Sequence, residues 1–175
     1  KPNEKTQRSG AGATNVGADG QPNARPNVML VSFDTTRADA LSCYGGHADA
    51  TPNLARFAAE SVLFESAFSP TPLTLPAHAT LMTGLDPCRH SARDNTAYAL
   101  PAAATTLAEV LRDEGYATFA VGKWHLTPAH EMTMGAARSR WPLGRGFERY
   151  YGFLGGETDQ FHPDLVYDNH QIEIG

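Results

Sequence analysis

Cysteine is scarce in this sequence: Cys43 and Cys88 are the two among 175 residues. Two thiols cannot build a disulfide framework, and without a Cys-x-x-Cys pair they do not suggest a zinc knuckle. Cys43, beside Tyr44 and close to Leu41, reads as a buried thiol. Long apolar runs are also missing. No stretch reaches the roughly 20 apolar residues that a membrane-spanning helix needs, so no transmembrane segment is expected. Positive charge is in deficit: the net charge of −5 argues against a general nucleic-acid binder. Methionine is absent from position 1, where Lys1 stands, which is compatible with processing, trimming or a removed export signal.

What is present is ordinary globular material. Hydrophobic residues make up 41%, enough to bury a core in a chain this long. Residues 1–26 are the exception, rich in Gly, Asn and Pro, without an aromatic residue and without periodicity. They carry Lys1, Lys5, Arg8 and Arg25 against Glu4 and Asp19, leaving the remainder acidic by seven charges. That composition predicts a flexible leader over 1–24, followed by a single structured domain over 25–175.

Order is expected from Asn27 onward. Val28-Met29-Leu30-Val31-Ser32-Phe33 is an apolar run suited to a strand buried on both faces, ending at Asp34. A helix should follow Thr51, with Pro52 at its first position and Leu54, Phe57 and Ala58 at helical spacing. Residues 62–68 read as another strand. Pro76 is placed to open a second helix, carrying Leu81 and Met82 and stopping at Gly84. Thr106 and Glu109 form a capping-box pattern for a third, with Leu107, Val110 and Leu111 as its buried face and Gly115 at its end. Tyr116 to Val121 then reads as a strand ending at Gly122-Lys123. After Gly135 the sequence turns rich in Gly, Arg and aromatics, and a long loop with short elements is expected. Strands alternating with helices predict an α/β fold, a largely parallel sheet with helices on both faces. In such sheets functional groups gather beyond the carboxyl ends of strands, where Asp34 and Lys123 both fall.

Three segments could carry chemistry. Asp34 supplies a carboxylate, a hard oxygen ligand suited to calcium, magnesium, manganese or zinc, although a strand-end carboxylate is equally an ordinary cap. Thr74-Leu75-Pro76-Ala77-His78 places a hydroxyl beside a helix amino terminus, which favours anions. Taken alone, the same pattern suits a simple helix cap. Lys123 and His125, two apart at a strand end, point to one side and could grip an anion and give a proton to a leaving oxygen, although taken singly they read better as a surface lysine and a hydrogen-bonded structural histidine.

Together these segments resemble the sulfatase family, within the alkaline phosphatase superfamily, from Arg25 to Gly175. Arg25-Pro26-Asn27-Val28 leading into Asp34-Thr35-Thr36-Arg37-Ala38-Asp39 looks like the opening strand and first metal-ligand region. Cys43-Tyr44-Gly45, Thr51-Pro52-Asn53-Leu54 and Leu81-Met82-Thr83-Gly84 fall at the family's intervals. Gly122-Lys123-Trp124-His125-Leu126 matches its substrate-gripping lysine and histidine. Trp141 to His170, with Gly146-Phe147 and Tyr151-Gly152-Phe153-Leu154-Gly155-Gly156, looks like arylsulfatases.

The resemblance implies an alkaline-phosphatase-like sulfatase core, here incomplete, that hydrolyses small-molecule sulfate esters. It implies a divalent metal, calcium first, with magnesium, manganese or zinc as alternatives, held in part by Asp34 and Thr74. Thr74, Lys123 and His125 would carry the chemistry. A further Asp/Asn pair, a lysine and a histidine would come from a C-terminal region of the same domain beyond Gly175, so the fragment alone is expected to be inactive. Residues His162, His170, Asp159, Asp164 and Asp168 read as solvated polar positions rather than replacement ligands.

Two departures from the family pattern stand out. Thr74 occupies the place of the Cys or Ser that matures to formylglycine, with His78 where an arginine is expected. Oxidised threonine would be a ketone, not an aldehyde, and Cys88 lacks the proline two places on. Thr-x-Pro-x-His is instead similar to superfamily phosphodiesterases, in which threonine is itself the nucleophile. Thr35 stands where many sulfatases place a second metal-binding aspartate. The alternatives are therefore a threonine-nucleophile phosphodiesterase or phosphonate hydrolase, and a non-catalytic degenerate fragment.

Overall fold

The computed structural model describes residues 25–96 and 98–173, in two compact units, Lys1–Glu65 and Ser66–Gly175. The expected leader over 1–24 lies outside the described residues.

In the first unit the expected helix is present as α1, Pro52–Ala59, with proline in its first turn. Thr51 precedes it without capping it. Its hydroxyl accepts from the Ser42 N–H at 2.9 Å, while Ser42 Oγ accepts from the Thr51 N–H at 3.0 Å. This reciprocal pair ties the start of α1 to a short 3-10 turn at Ser42–Tyr44, which follows another at Ala38–Ala40. Cys43, in the second turn, is half-buried and free rather than a core thiol. The expected strand over Val28–Phe33 is a correction: these residues pair with no strand and are exposed, Met29 to 88%. Residues 62–68 likewise form no strand, turning at Glu65–Ser66 with Phe64 and Phe68 exposed. The physical reason is common to both. A strand's N–H and C=O groups need a neighbouring strand, and every strand pairing among the described residues is made within 119–172.

The second unit holds the core. Helix α2, Thr74–Thr83, buries Leu75, Pro76, Ala79 and Met82 and ends on Gly84, whose φ of 67° supplies the left-handed cap. It begins two residues before Pro76, so the proline sits inside the first turn, where no intrahelical N–H is required. A short α3 spans Pro87–His90. In α4, Leu107–Asp113, both halves of the Thr106–Glu109 capping box form. Its buried face is only partly the expected one: Ala108 is buried and Leu111 half-buried, while Leu107 and Val110 stay 39% and 49% exposed. That apolar side is left partly exposed, and hydrogen bonds hold the helix at its amino end. Thr106 Oγ1 donates to the Arg145 carbonyl at 2.8 Å, and the buried Arg145 guanidinium donates to the carbonyls of Pro101 and Ala104.

Strand β1 is Phe119–Lys123, later than Tyr116–Val121 and including Gly122 and Lys123. The long region after Gly135 contains three strands that the loss of periodicity concealed: β2, Arg149–Phe153, β3, Leu165–Tyr167, and β4, His170–Ile172. The sheet order is β1-β2-β3-β4, with β1 and β2 parallel and the other pairings antiparallel, so the described sheet is mixed. A hairpin signal was available: Asp168-Asn169 is a two-residue connection between β-forming runs, and Asp168 takes the left-handed φ of 54° such turns need. One sheet face packs through Tyr150 and Gly152 onto Leu75, Ala79, Met82, Trp124 and Trp141. The other, with Phe119, Val121, Tyr151 and Tyr167, remains open.

Candidate active site

Thr74 is the first residue of α2, and it does not cap it. The cap position is Leu73, which makes no side-chain cap bond. The Leu75 N–H is taken by Asn95 Oδ1 at 3.0 Å, from the segment after α3. This removes the main structural duty a threonine at a helix start would perform, and leaves its hydroxyl, half-buried, at the positive end of a ten-residue helix. His78 lies one turn further on the same face.

His78 connects α2 to the end of β1. Its ring meets Trp124 edge-on at 5.9 Å, and Trp124 meets Phe147 likewise at 5.9 Å. Trp124 is 2% exposed and its indole N–H donates to the Arg140 carbonyl at 3.0 Å, fixing the ring in plane and position. On either side stand Lys123 and His125. Lys123 closes β1 opposite Phe153 in the parallel register. The ladder runs on past it, from the Trp124 N–H to the Phe153 carbonyl at 3.0 Å and from the His125 N–H to the Leu154 carbonyl at 3.1 Å. The Tyr150 hydroxyl, close to the carbonyls of Gly122 and Phe153 at 2.9 and 2.8 Å, can donate to one at a time and braces this end. Burial raises that phenol's pKa, so it stays a donor. His125 is buried and held at φ 53°, in the left-handed region that histidine enters more readily than most non-glycine residues.

Helix α2 therefore meets the segment that follows β1 through His78 and Trp124, one helical turn beyond Thr74. Trp124 and Asn95 had no role in the sequence reading. Trp124 lies inside the Gly122-Lys123-Trp124-His125-Leu126 motif, whereas nothing in the sequence marks Asn95. Asp34 belongs to the other unit. There it ends the extended run, followed by Thr35 at φ 52°, and Thr36 Oγ1 donates to its carbonyl at 3.3 Å. Arg37 and Asp39 form a two-pronged ion pair beside it, which holds the Asp39 carboxyl below its usual range.

Among the described residues no group of three or more His, Cys, Asp or Glu is placed to hold a metal ion. One carboxylate and one hydroxyl, in separately described units, fall short of the roughly six oxygens a hard cation wants. The later acids serve local structure. Asp159 Oδ1 accepts from the N–H groups of Phe161 and His162 at 2.8 and 2.7 Å, which lowers its pKa. Asp168 accepts from the Tyr150 N–H at 3.0 Å and pairs with Arg149 at 3.2 Å. His162 and His170 are exposed, and Asp164 donates its N–H to Thr158 Oγ1 at 2.9 Å. Cys88 is free and exposed.

Behind α2 lies a buried titratable group. His90 is 0% exposed, its Nδ1 accepting from the Ala92 N–H at 3.1 Å, so the proton sits on Nε2 and is donated to Thr80 Oγ1 at 3.0 Å. Burial lowers its pKa, only partly countered by its hydrogen bonds and Asp86. The unfolded chain then takes up a proton near pH 6.5 that the folded one refuses, so this contribution is present above that pH and lost as pH falls below it. Urea midpoints measured from pH 7.5 to 5 should decline, and the decline should shrink in His90→Gln. An equal decline in both proteins would remove His90 as its source.

Comparison with known proteins identifies the family. The family model described as Sulfatase matches residues 26–173. N-acetylgalactosamine-6-sulfatase of Homo sapiens is 34% identical over 149 residues, 78% of this chain and 27% of that protein. N-acetylgalactosamine-6-O-sulfatase of Bacteroides thetaiotaomicron is 35% identical over 112 residues, 62% of this chain and 22% of that protein. A solved structure of a protein with its substrate D-glucosamine-2-N,6-O-disulfate superposes with a TM-score of 0.70 at 29% identity, covering 86% of this chain and 28% of that one. The chain thus spans about a quarter of the length of these relatives. No helix among the described residues is long and apolar enough to cross a membrane. With the match running from the opening apolar segment through β4, and an α/β core of the same shape, the chain belongs to the sulfatase family.

Proposed function

We propose that this chain forms the N-terminal part of a metal-dependent hydrolase of small-molecule sulfate esters. The family match over 26–173 carries the reading. The names of the relatives favour sulfated amino sugars as the substrate class. Lys123 binds the anionic group, His125 supplies a proton to the leaving oxygen, and Thr74 lies at the helix start that faces the reacting centre. Sulfatases generally depend on a divalent metal. Asp34 in the first unit and Thr74 in the second are each a candidate ligand for one, calcium first, and further ligands would have to come from groups outside these residues. The open sheet face and the exposed Val28–Phe33 suit cover by that region, since soluble proteins rarely leave large apolar patches bare.

A second reading is favoured by one observation: Thr74 is not the cap of α2, and its Leu75 neighbour is satisfied by Asn95. A hydroxyl so placed suits direct attack, giving a threonine-nucleophile phosphodiesterase or phosphonate hydrolase. Thr74 Oγ would attack phosphorus as its proton passes to base or solvent. The bond to the leaving oxygen breaks, His125 protonates that oxygen, and water then cleaves the threonine ester.

Aryl sulfate and aryl phosphodiester hydrolysis should be measured side by side on the protein carrying the remainder of the domain, with each divalent cation added in turn. Metal-dependent sulfate release supports the first reading, and preference for the diester supports the second. Turnover of neither leaves the degenerate, non-catalytic reading.

A further inference from the structure

Glycines in the second unit are pressed by two kinds of neighbour. A β-carbon at Gly144, Gly146 or Gly152 would run into main-chain atoms of another segment, so these glycines let backbones approach. Gly156 differs. A β-carbon there would lie 2.7 Å from His125 Nε2, 2.8 Å from Cε1 and 3.2 Å from Cδ2, all within one imidazole. Its φ is not in the left-handed region, so the backbone itself would accept alanine. The missing side chain is room for a ring.

That ring is already constrained from its other end. The His125 backbone is fixed by the ladder bond to Leu154 and by its left-handed φ of 53°, so Cβ cannot shift freely. Leu154 and Gly156 belong to one short segment leaving β2: the first anchors the His125 main chain and the second borders its side chain. With the backbone held, an added methyl at 156 has one soft neighbour to displace, and that neighbour is the imidazole. A rotation that relieves the contact swings Nε2 and Cε1 away from their present direction.

We infer that Gly156 is a positioning residue for His125, its bare Cα setting the direction in which the imidazole edge is presented. The inference rests on the reading of His125 as proton donor for its functional meaning, but the placement itself can be tested apart from turnover.

The test is Gly156→Ala in the chain, with His125 followed by imidazole nitrogen and proton NMR through a pH titration. The expected result is a displaced His125 ring resonance and a changed titration midpoint, with His90 signals unmoved. A His125 spectrum and midpoint identical to those of the parent would overturn the proposal. A double-mutant cycle guards against misfolding: in His125→Ala the collision is gone, so adding Gly156→Ala should leave the urea midpoint unchanged. If the alanine at 156 lowers the midpoint equally with and without the imidazole, the role is ordinary packing and the proposal fails. A His125→Ala enzyme that keeps full activity, alongside a displaced ring in Gly156→Ala, would instead sink the proton-donor reading and leave the positioning intact.

Discussion

Thr74→Ala in the protein carrying the whole domain should lower kcat/KM on the order of 10³-fold or more, while leaving thermal stability almost unchanged. Removal of a nucleophile typically costs at least that much, because the route through the covalent intermediate is lost. The flat stability follows from the geometry of α2. Thr74 is the first helical residue, the cap position is Leu73, and the nearby Leu75 N–H is met by Asn95 rather than by the threonine hydroxyl. Alanine is the better helix former, so the helix has no reason to weaken. Thr74→Ser keeps a hydroxyl and should retain much of the rate. The same chemistry bears on substrate preference. A formylglycine enzyme releases sulfate from a hemiacetal by elimination, which a threonine ester cannot do. If Thr74 is the nucleophile, phosphodiester or phosphonate turnover should exceed aryl sulfate turnover. A protein that cleaves aryl sulfates well and is indifferent to Thr74→Ala would end the nucleophile assignment.

The largest stability effect is expected at Gly152→Ala. Gly122 and Gly152 face each other in the parallel β1–β2 register, and a β-carbon at 152 would lie 1.9 Å from the Gly122 carbonyl oxygen. No rotamer relieves this, because both partners are main chain. Either the ladder parts or the strands shift, and the core beneath Tyr150 and Trp124 shifts with them. A loss of about 3 kcal/mol or more is expected from such overpacking. It would be read as a lower urea midpoint in the 175-residue chain. Gly135→Ala is the control: a β-carbon there meets open space, so its midpoint should change by no more than about 0.5 kcal/mol equivalent. Equal midpoints in the two variants would show that β1 and β2 do not approach so closely. The consequence reaches the site, since Lys123 closes the same strand and His125 hangs from its last ladder bond.

Local chemistry made some of this legible in the residues alone. Pro52 after Thr51, Gly84 after a helical stretch, and the Thr106–Glu109 pair each act within one turn of chain, so α1, α2 and α4 stood close to where they were expected. The ordered motifs around Asp34, Thr74 and Gly122-Lys123-Trp124-His125 were enough to name the family, because family motifs are themselves strings of local sequence.

What the residues could not decide was everything that needs a distant partner. Val28–Phe33 has the composition of a buried strand, yet composition cannot supply the neighbour whose carbonyls and N–H groups make it one. The apolar side of α4 and the open sheet face show the same dependence for side chains. Asn95 reaching the Leu75 N–H, Trp124 wedged between His78 and Phe147, and Gly156 against the His125 ring join residues 20 to 46 positions apart. Such contacts leave no periodic trace, because each depends on where two independent segments come to rest. The sequence by itself determined the family and the approximate places of α1, α2 and α4, because both are written in local strings of residues. Only the tertiary structure decided that Thr74 is free of capping duty and that a histidine in a left-handed turn is aimed by a glycine, since both are properties of packed space rather than of chain order.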